Sequence, residues 1–177
     1  MMKVLIIVAH PNLEQSFVNK RWVAELTKFP DRYHIHDLYF SYPDGAIDVE
    51  AEQKLITQFD RVVFQFPLYW FNCPPLLKHW LDVVLTDGWS YGRGSAYPLR
   101  GKKISLAISA GIDEKEYAPG GRYKYTLGHL TSAFELTFEY VQATYKPLFA
   151  FYGREYHGTL ARLEESVPQY LKYLDQL

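Results

Sequence analysis

The 177-residue chain is poor in cysteine, with Cys73 alone, and it contains no Asn-x-Ser/Thr sequon. A single cysteine cannot form an internal disulfide, and both features are typical of a protein from a reducing compartment. The apolar run at residues 4–9 is far too short to span a membrane and lacks the small-residue cleavage site of a signal peptide. We therefore expect a cytoplasmic protein.

The chain also lacks an excess of charge of one sign, since its formal net charge is -1 and no run of five like charges occurs. Without a basic patch, neither nucleic acid nor an anionic membrane is an expected partner. Apolar residues make up 48% and charged residues 22%, close to a soluble globular average, and no repeat or low-complexity tract is visible. We expect one domain over residues 1–177.

Two well-known phosphate-binding loops are missing. No G-x-G-x-x-G follows a predicted strand, and Gly101-Lys102 lacks both the glycine five positions earlier and a following Ser or Thr. Rossmann-type dinucleotide binding and P-loop nucleotide binding are therefore disfavoured.

Short apolar runs alternate with helical patterns along the whole chain. The runs predict five strands, at residues 3–9, 33–38, 61–66, 103–109 and 147–152. Apolar residues at helical spacing predict helices within residues 18–29, 49–59, 76–84, 127–141 and 160–177, and Pro168 is expected to kink or restart the last helix. This alternation predicts a doubly wound parallel sheet with helices on both faces. Its ligand should lie at the carboxyl ends of the strands, in the loops after strands one, three and four.

The loop after strand one, residues 10–19, reads HPNLEQSFVN. Ser16 is placed to cap the following helix, and the N–H groups of Ser16, Phe17 and Val18 would bind a phosphate. The plainer interpretation is an ordinary helix cap without a ligand.

The loop after strand three, residues 67–75, reads PLYWFNCPP. Three consecutive aromatic residues cannot all enter the core, because successive side chains of an extended segment diverge. They indicate a planar ligand or a partner subunit, although a hydrophobic plug over the sheet edge is the alternative. Cys73 is interpreted as a small apolar filler.

Two further loops are long for a compact domain, and such loops are usually functional or disordered. Residues 109–123 carry three glycines together with Tyr117 and Tyr123, whose phenols would donate a hydrogen bond to a developing anion or would only pack. Residues 87–100 contain Trp89 and Tyr91 and are expected to cover a neighbouring subunit's site. His34 and His36 share a strand face but lack a third ligand, so no metal site is predicted.

Together these loops resemble the NAD(P)H:quinone oxidoreductase family with the flavodoxin-like fold, which includes the ancillary flavoproteins of glutathione-gated potassium efflux systems. The resemblance covers almost the whole chain. It is carried by H-P-x-x-x-x-S-F-x-N at residues 10–19, F-P-L-Y-W-F at 66–71, P-x-L-L-K-x-W-x-D at 74–82, and the loop of Gly111, Tyr117 and Gly121. Two positions depart from the family pattern: Ile112 stands in place of a second glycine, and Tyr123 in place of a histidine.

The resemblance implies a flavin and assigns residues to it. By that implication the phosphate is held by His10, Ser16 and Phe17. The residues that wrap the isoalloxazine ring, with main-chain N–H groups toward its N5 and O4, are Pro67, Leu68, Tyr69, Trp70 and Phe71. Those facing N1 and O2 are Ser109, Ala110, Gly111 and Tyr117. Tyr117 and Tyr123 are the candidate catalytic residues.

FMN is the expected cofactor because the carboxyl-terminal extension of FAD-binding members is missing, with FAD as the alternative. The resemblance further implies a homodimer, NAD(P)H as electron donor, and a quinone or similar acceptor reduced in a ping-pong cycle. The competing functions are an ancillary flavoprotein of a membrane potassium efflux protein and, less favoured, a flavodoxin-type electron carrier. The carrier is disfavoured because its phosphate loop would hold several Ser or Thr residues and its surface would be strongly acidic.

Overall fold

The computed structural model describes residues 3–177. Its strands are β1 (Val4–Val8), β2 (Tyr33–Asp37), β3 (Arg61–Pro67), β4 (Lys103–Ser109), β5 (Thr144–Tyr145) and β6 (Phe149–Phe151). They form one sheet with a five-strand path in the order β2-β1-β3-β4-β5, and β6 is also paired to β4. Every pairing is parallel. The flavodoxin-like fold expected from the sequence is confirmed.

Eight α-helices surround the sheet within the described residues. They are α1 (Asn19–Leu26), α2 (Leu38–Ser41), α3 (Val49–Thr57), α4 (Pro75–Val84), α5 (Leu127–Leu130), α6 (Ser132–Tyr140), α7 (Arg154–His157) and α8 (Leu160–Gln176). No helix within residues 3–177 combines the length and the apolar content that a membrane crossing requires.

The central strand β1 is buried on both faces, as its continuous apolar sequence predicts. Leu5 and Ile7 point into a core with α3, α4 and α6. Val4, Ile6 and Val8 point into a second core with α1 and α8. Helices thus pack against both faces of the sheet, and the loops at its carboxyl edge extend from strands that are buried between two cores.

The predicted fifth strand, residues 147–152, corresponds to β6, whereas β5 was not predicted. Residues 146–148 separate the two strands. Ile104 pairs with Tyr145 and Ala107 pairs with Phe149, so the edge strand carries one more residue than β4 over this stretch. Such an extra residue is a bulge, and Pro147, which has no N–H to give to a ladder, lies within it. The Ser105 hydroxyl bonds the Pro147 carbonyl at 2.9 Å and ties the bulge to β4.

Two helix predictions also need correction. The helix predicted within residues 127–141 is two helices, α5 and α6, divided at Thr131, whose hydroxyl donates to the Leu127 carbonyl at 2.9 Å. The last helix does not restart at Pro168, since α8 continues through it. Glu164 and Pro168 both lie on the exposed side of α8, so the carbonyl that proline leaves without a helical partner faces water.

Candidate active site

Four loops at the carboxyl edge of the sheet enclose a cleft of about 370 Å³. It lies beside β1 and β3, where the strand order reverses and where open α/β sheets bind their ligands. The lining residues come from the loops after β1, β3, β4 and β6: His10, Asn12, Gln15, Ser16, Phe17, Val18, Pro67, Leu68, Tyr69, Ser109, Ala110, Gly111, Arg154 and Glu155.

The cleft brings together nine of the predicted cofactor residues, which are His10, Ser16, Phe17, Pro67, Leu68, Tyr69, Ser109, Ala110 and Gly111. Trp70, Phe71, Tyr117 and Tyr123 do not line it. They belong instead to the adjoining loops, as described below.

Ser16 caps the start of α1, as predicted, because its hydroxyl oxygen accepts the N–H of Asn19 at 3.0 Å. One detail was wrong: the Ser16 N–H is not free, since it donates to the Leu13 carbonyl at 3.0 Å. Within residues 3–177, the N–H groups of Phe17 and Val18 have no hydrogen-bond partner. The Ser16 hydroxyl also keeps its own proton to donate. These are donors of the kind that a phosphate accepts.

His10 presents a neutral ring to the cleft. Burial lowers its pKa below the ordinary histidine value, and the Asp37 carboxylate opposes that shift only in part. The Asn12 N–H donates to Nδ1 at 3.0 Å, so the proton of the neutral ring lies on Nε2. His10 can therefore donate one hydrogen bond at neutral pH.

A buried amide orients Ser109. Asn19 is fully buried, and its Nδ2 donates to the Ser109 hydroxyl oxygen at 2.9 Å. The hydroxyl proton of Ser109 is thereby left for another acceptor. The Asn19 Oδ1 atom is buried with no hydrogen-bond partner in the described part of the chain. A buried acceptor without a partner costs free energy. Asn19 directly follows Val18, whose N–H also has no partner within residues 3–177.

The loop after β3 closes in a tight two-residue turn. Tyr69 and Asn72 exchange backbone hydrogen bonds of 2.8 and 2.9 Å, while Trp70 and Phe71 have φ of 49° and 62°. Positive φ at both central positions is the type I′ turn that usually takes Asn-Gly, and bulky residues there cost about 1–3 kcal/mol each. The turn leaves the N–H groups of Trp70 and Phe71 without a partner within residues 3–177.

The aromatic run does stay out of the core, which confirms that prediction. Tyr69 and Phe71 are 41% and 40% exposed, and Trp70 is 94% exposed. Tyr69 lines the cleft, whereas Phe71 packs against Tyr123 with ring centroids 5.0 Å apart. The Trp70 side chain points into solvent.

Tyr117 is buried in a cluster with Tyr123 and Tyr152, whose ring centroids are 5.0 and 5.7 Å away. Burial, with smaller contributions from Tyr123 and the Glu155 carboxylate, raises the pKa of Tyr117 to about 12. The phenol therefore keeps its proton at every ordinary pH and is a hydrogen-bond donor, not a base.

Glycines shape the loop after β4 through close contacts. A Cβ on Gly111 would lie 2.4 Å from a Glu155 carboxylate oxygen, and one on Gly121 would lie 2.4 Å from the Lys115 carbonyl oxygen. Neither glycine has positive φ, and Ile112 does not either. The departure from the family pattern at Ile112 therefore introduces no backbone strain.

Arg154 and Glu155 were missed in the sequence. They follow the edge strand β6, and the rule that sites lie at the carboxyl ends of parallel strands applies to that strand as well.

The long loop at 87–100 folds back on its own chain, with Trp89 and Tyr91 half-buried against the core. His36 bonds the Glu52 carboxylate at 2.7 Å, which accounts for its place in the strand.

Comparison with known proteins agrees with this architecture. A family described as having a flavodoxin-like fold matches residues 2–176. An NAD(P)H oxidoreductase of Bacillus subtilis, YrkL, is 45% identical over 173 residues, spanning 98% of both chains. The potassium-efflux ancillary protein KefG of Cronobacter sakazakii is 42% identical over 135 residues, 76% of this chain and 72% of that protein.

Two solved structures are similar over nearly the full length. General stress protein 14 of Treponema denticola, determined in complex with FMN, has 47% identity and a TM-score of 0.92, with 98% of each chain covered. An NADPH-quinone reductase from P. pentosaceus has 31% identity and a TM-score of 0.87, again with 98% of each chain covered. The chain therefore belongs to the family with the flavodoxin-like fold and is a homologue of NAD(P)H oxidoreductases.

Proposed function

We propose that the protein is an FMN-dependent oxidoreductase that takes a hydride from NAD(P)H and passes it to a quinone or a similar electrophile in a ping-pong cycle. The observation that carries the proposal is the cleft at the β1/β3 switch point, where nine residues expected to bind a flavin come together. The FMN complex of a 47% identical relative supports the choice of FMN over FAD. When bound, FMN supplies the two-electron chemistry.

The donor set of the cleft fits this nucleotide. The end of the cleft at residues 16–18 offers the N–H groups of Phe17 and Val18 and the Ser16 hydroxyl, which suit the terminal phosphate. His10 adds a neutral N–H donor. In the loop after β4, the Gly111 N–H, which has no partner within residues 3–177, and the oriented Ser109 hydroxyl suit the ring carbonyls.

The remaining site residues would contact the flavin ring or hold the residues that contact it in place. Tyr69 would border one side of the ring, and the free N–H groups of Trp70 and Phe71 would donate to its edge. Tyr117, which keeps its proton, would donate toward the negative charge that reduction places near N1 and O2. Tyr123, packed between Phe71 and Tyr117, would hold both rings in place.

The central test is spectroscopic. Purified protein should be yellow, release FMN and not FAD on denaturation, and bleach when NADH or NADPH is added anaerobically. A quinone added afterwards should restore the colour without oxygen, as a ping-pong cycle requires. Colourless protein that neither FMN nor FAD reconstitutes would overturn the proposal.

A regulatory function is the second candidate, favoured by the 42% identity to KefG. In that case the same flavin site would act in a complex with a membrane potassium efflux protein. Co-purification with such an antiporter and a flavin-dependent change in potassium efflux would support it. Quinone turnover alone, with no effect on efflux, would oppose it.

We also propose a homodimer, as the family resemblance implies. Leu136 and Tyr140 are 66% and 68% exposed and border a cavity of about 470 Å³ between α4 and α6. Lys78 and Asp82 lie on the same surface, so it carries both signs of charge, as a two-fold self-complementary contact needs. Sedimentation at micromolar concentration should give a dimer, and a fully active monomer would contradict the proposal.

A further inference from the structure

The lining of the cleft includes one arginine and one carboxylate, and they are neighbours in sequence. Arg154 and Glu155 begin helix α7 and reach the cleft from its β6 side. The Arg154 N–H donates to the Ala110 carbonyl at 3.2 Å, and the Glu155 N–H donates to the Gly111 carbonyl at 2.8 Å. These bonds fix both backbones against the loop after β4.

The two side chains contact different parts of the cleft lining. The guanidinium carbon of Arg154 lies 4.3 Å from the centre of the Phe17 ring. The Glu155 carboxylate lies against Gly111, close enough that a Cβ on that glycine would be 2.4 Å from Oε1. The cleft is therefore positive beside residues 16–18 and negative beside residue 111.

Nothing in the described part of the chain neutralises Arg154. Its guanidinium forms no ion pair or hydrogen bond within residues 3–177, in contrast to Arg21, which bonds the Glu164 carboxylate at 2.7 Å. This cation contacts the side chain of Phe17, and within residues 3–177 the N–H groups of Phe17 and Val18 have no partner in the same cleft lining. An anion bound there would accept hydrogen bonds from those N–H groups and would also pair with the Arg154 guanidinium.

We propose that Arg154 is the residue that binds and neutralises the terminal phosphate of the flavin nucleotide, and that the Glu155 carboxylate excludes the phosphate from the part of the cleft beside Gly111. The inference rests on the proposed function. A guanidinium matches a phosphate with two parallel hydrogen bonds and brings a full positive charge, which the Ser16 hydroxyl and the backbone N–H groups lack. Arg154 thus selects a phosphorylated flavin and sets its direction in the cleft.

The test compares FMN with riboflavin, which has the same ring and no phosphate. Flavin-free protein is titrated with each ligand, and binding is followed by quenching of flavin fluorescence. Arg154→Met keeps the apolar stem that packs on Phe17, whereas Arg154→Lys keeps the charge without the planar fork. Arg100→Met is the matched control, since Arg100 also lies over an aromatic ring, at 5.3 Å from Tyr97, but does not line the cleft.

Arg154→Met should weaken FMN binding about 10- to 100-fold and change riboflavin binding less than about 3-fold. Arg154→Lys should fall between it and the natural protein, and Arg100→Met should bind both ligands normally. Higher salt should weaken FMN binding by the natural protein more than by Arg154→Met.

Equal losses for the two flavins would show that Arg154 only supports the loop, and unchanged FMN binding would show that it does not contact the phosphate. Either result overturns this inference while the proposed function stands. Failure of the natural protein to bind any flavin would overturn both.

Discussion

At the scale of single residues, protonation states decide what the site can do. His10 and Tyr117 are both held in their neutral forms by burial, because desolvation disfavours an imidazolium and a phenolate alike. Both are therefore donors. Donors of this kind suit the proposed flavin site, which would hold a phosphate and a ring that gains negative charge on reduction.

Tyr117→Phe tests the donor assigned to the ring end. The substitution keeps the aromatic packing with Tyr123 and Tyr152 and removes one preorganised O–H. We expect flavin reduction to slow about 5- to 150-fold, which corresponds to about 1–3 kcal/mol, if charge develops in that step. Anaerobic stopped-flow with NAD(P)H measures this half-reaction separately from quinone turnover.

Tyr152→Phe is the control, since burial also raises the pKa of Tyr152 to about 12 and its ring belongs to the same cluster. It should reduce the flavin at the natural rate. Tyr123→Phe should have less effect than Tyr117→Phe. If Tyr117→Phe keeps both its flavin and its reduction rate, the tyrosine serves only in packing.

At the scale of the element, the shape of the loop after β4 depends on Gly121 and not on the adjacent Gly120. A Cβ on Gly121 would lie 2.4 Å from the Lys115 carbonyl oxygen and 2.6 Å from that of Glu116, both of them backbone atoms that cannot turn away. A Cβ on Gly120 meets nothing within 4 Å. The loop also holds its shape through a hydrogen bond from the Tyr123 N–H to the Glu116 carbonyl at 3.0 Å.

Gly121→Ala should therefore displace the segment that carries Tyr117 and Tyr123, lowering flavin affinity and the rate of flavin reduction at least about 10-fold. The physical reason is that a contact near 2.4 Å forces the backbone to move, and small displacements of a positioned group cost large factors in rate. Gly120→Ala should behave like the natural protein. Equal behaviour of the two variants would mean that this loop does not shape the site.

At the scale of the whole molecule, the buried carboxylate of Glu52 links several elements of the fold through hydrogen bonds. Glu52 in α3 is 2% exposed and accepts hydrogen bonds from Tyr42, from Trp80 in α4 and from His36 in β2, at 2.6, 2.7 and 2.7 Å. Burial by itself would raise the pKa of Glu52, but these three bonds outweigh it and hold the pKa below its ordinary value. The charged form is therefore the stable one.

A lowered carboxyl pKa contributes stability that is present above the unfolded-state value, about 4.3, and is lost as the pH falls through the folded value. Glu52→Gln should lower the free energy of unfolding by about 3 kcal/mol at pH 7, since an amide cannot accept all these bonds. The difference from the natural protein should shrink as the pH falls below about 4.

Urea unfolding at a series of pH values provides the measurement. Glu50→Gln is the control, an exposed carboxylate in the same first turn of α3. It should unfold like the natural protein throughout. A Glu52→Gln difference that does not shrink as the pH is lowered well below about 4 would show that the charge of Glu52 is not what stabilises the fold.

The sequence alone determined the alternation of strands and helices and the doubly wound sheet, because buried strands, helical stripes and turn residues are local patterns. The rule that parallel strands bring their following loops to one edge located the site, and the resemblance to a known family indicated nine of the residues that line the cleft. The sequence could not reveal the bulge at Pro147, because a bulge exists only relative to the register of β4. The sequence also could not show that Trp70 is exposed. Nor could it show that Glu52 is hydrogen-bonded to His36, Tyr42 and Trp80. Arg154 and Phe17 are 137 positions apart, and only the packing of β6 beside β4 brings that cation over the first loop.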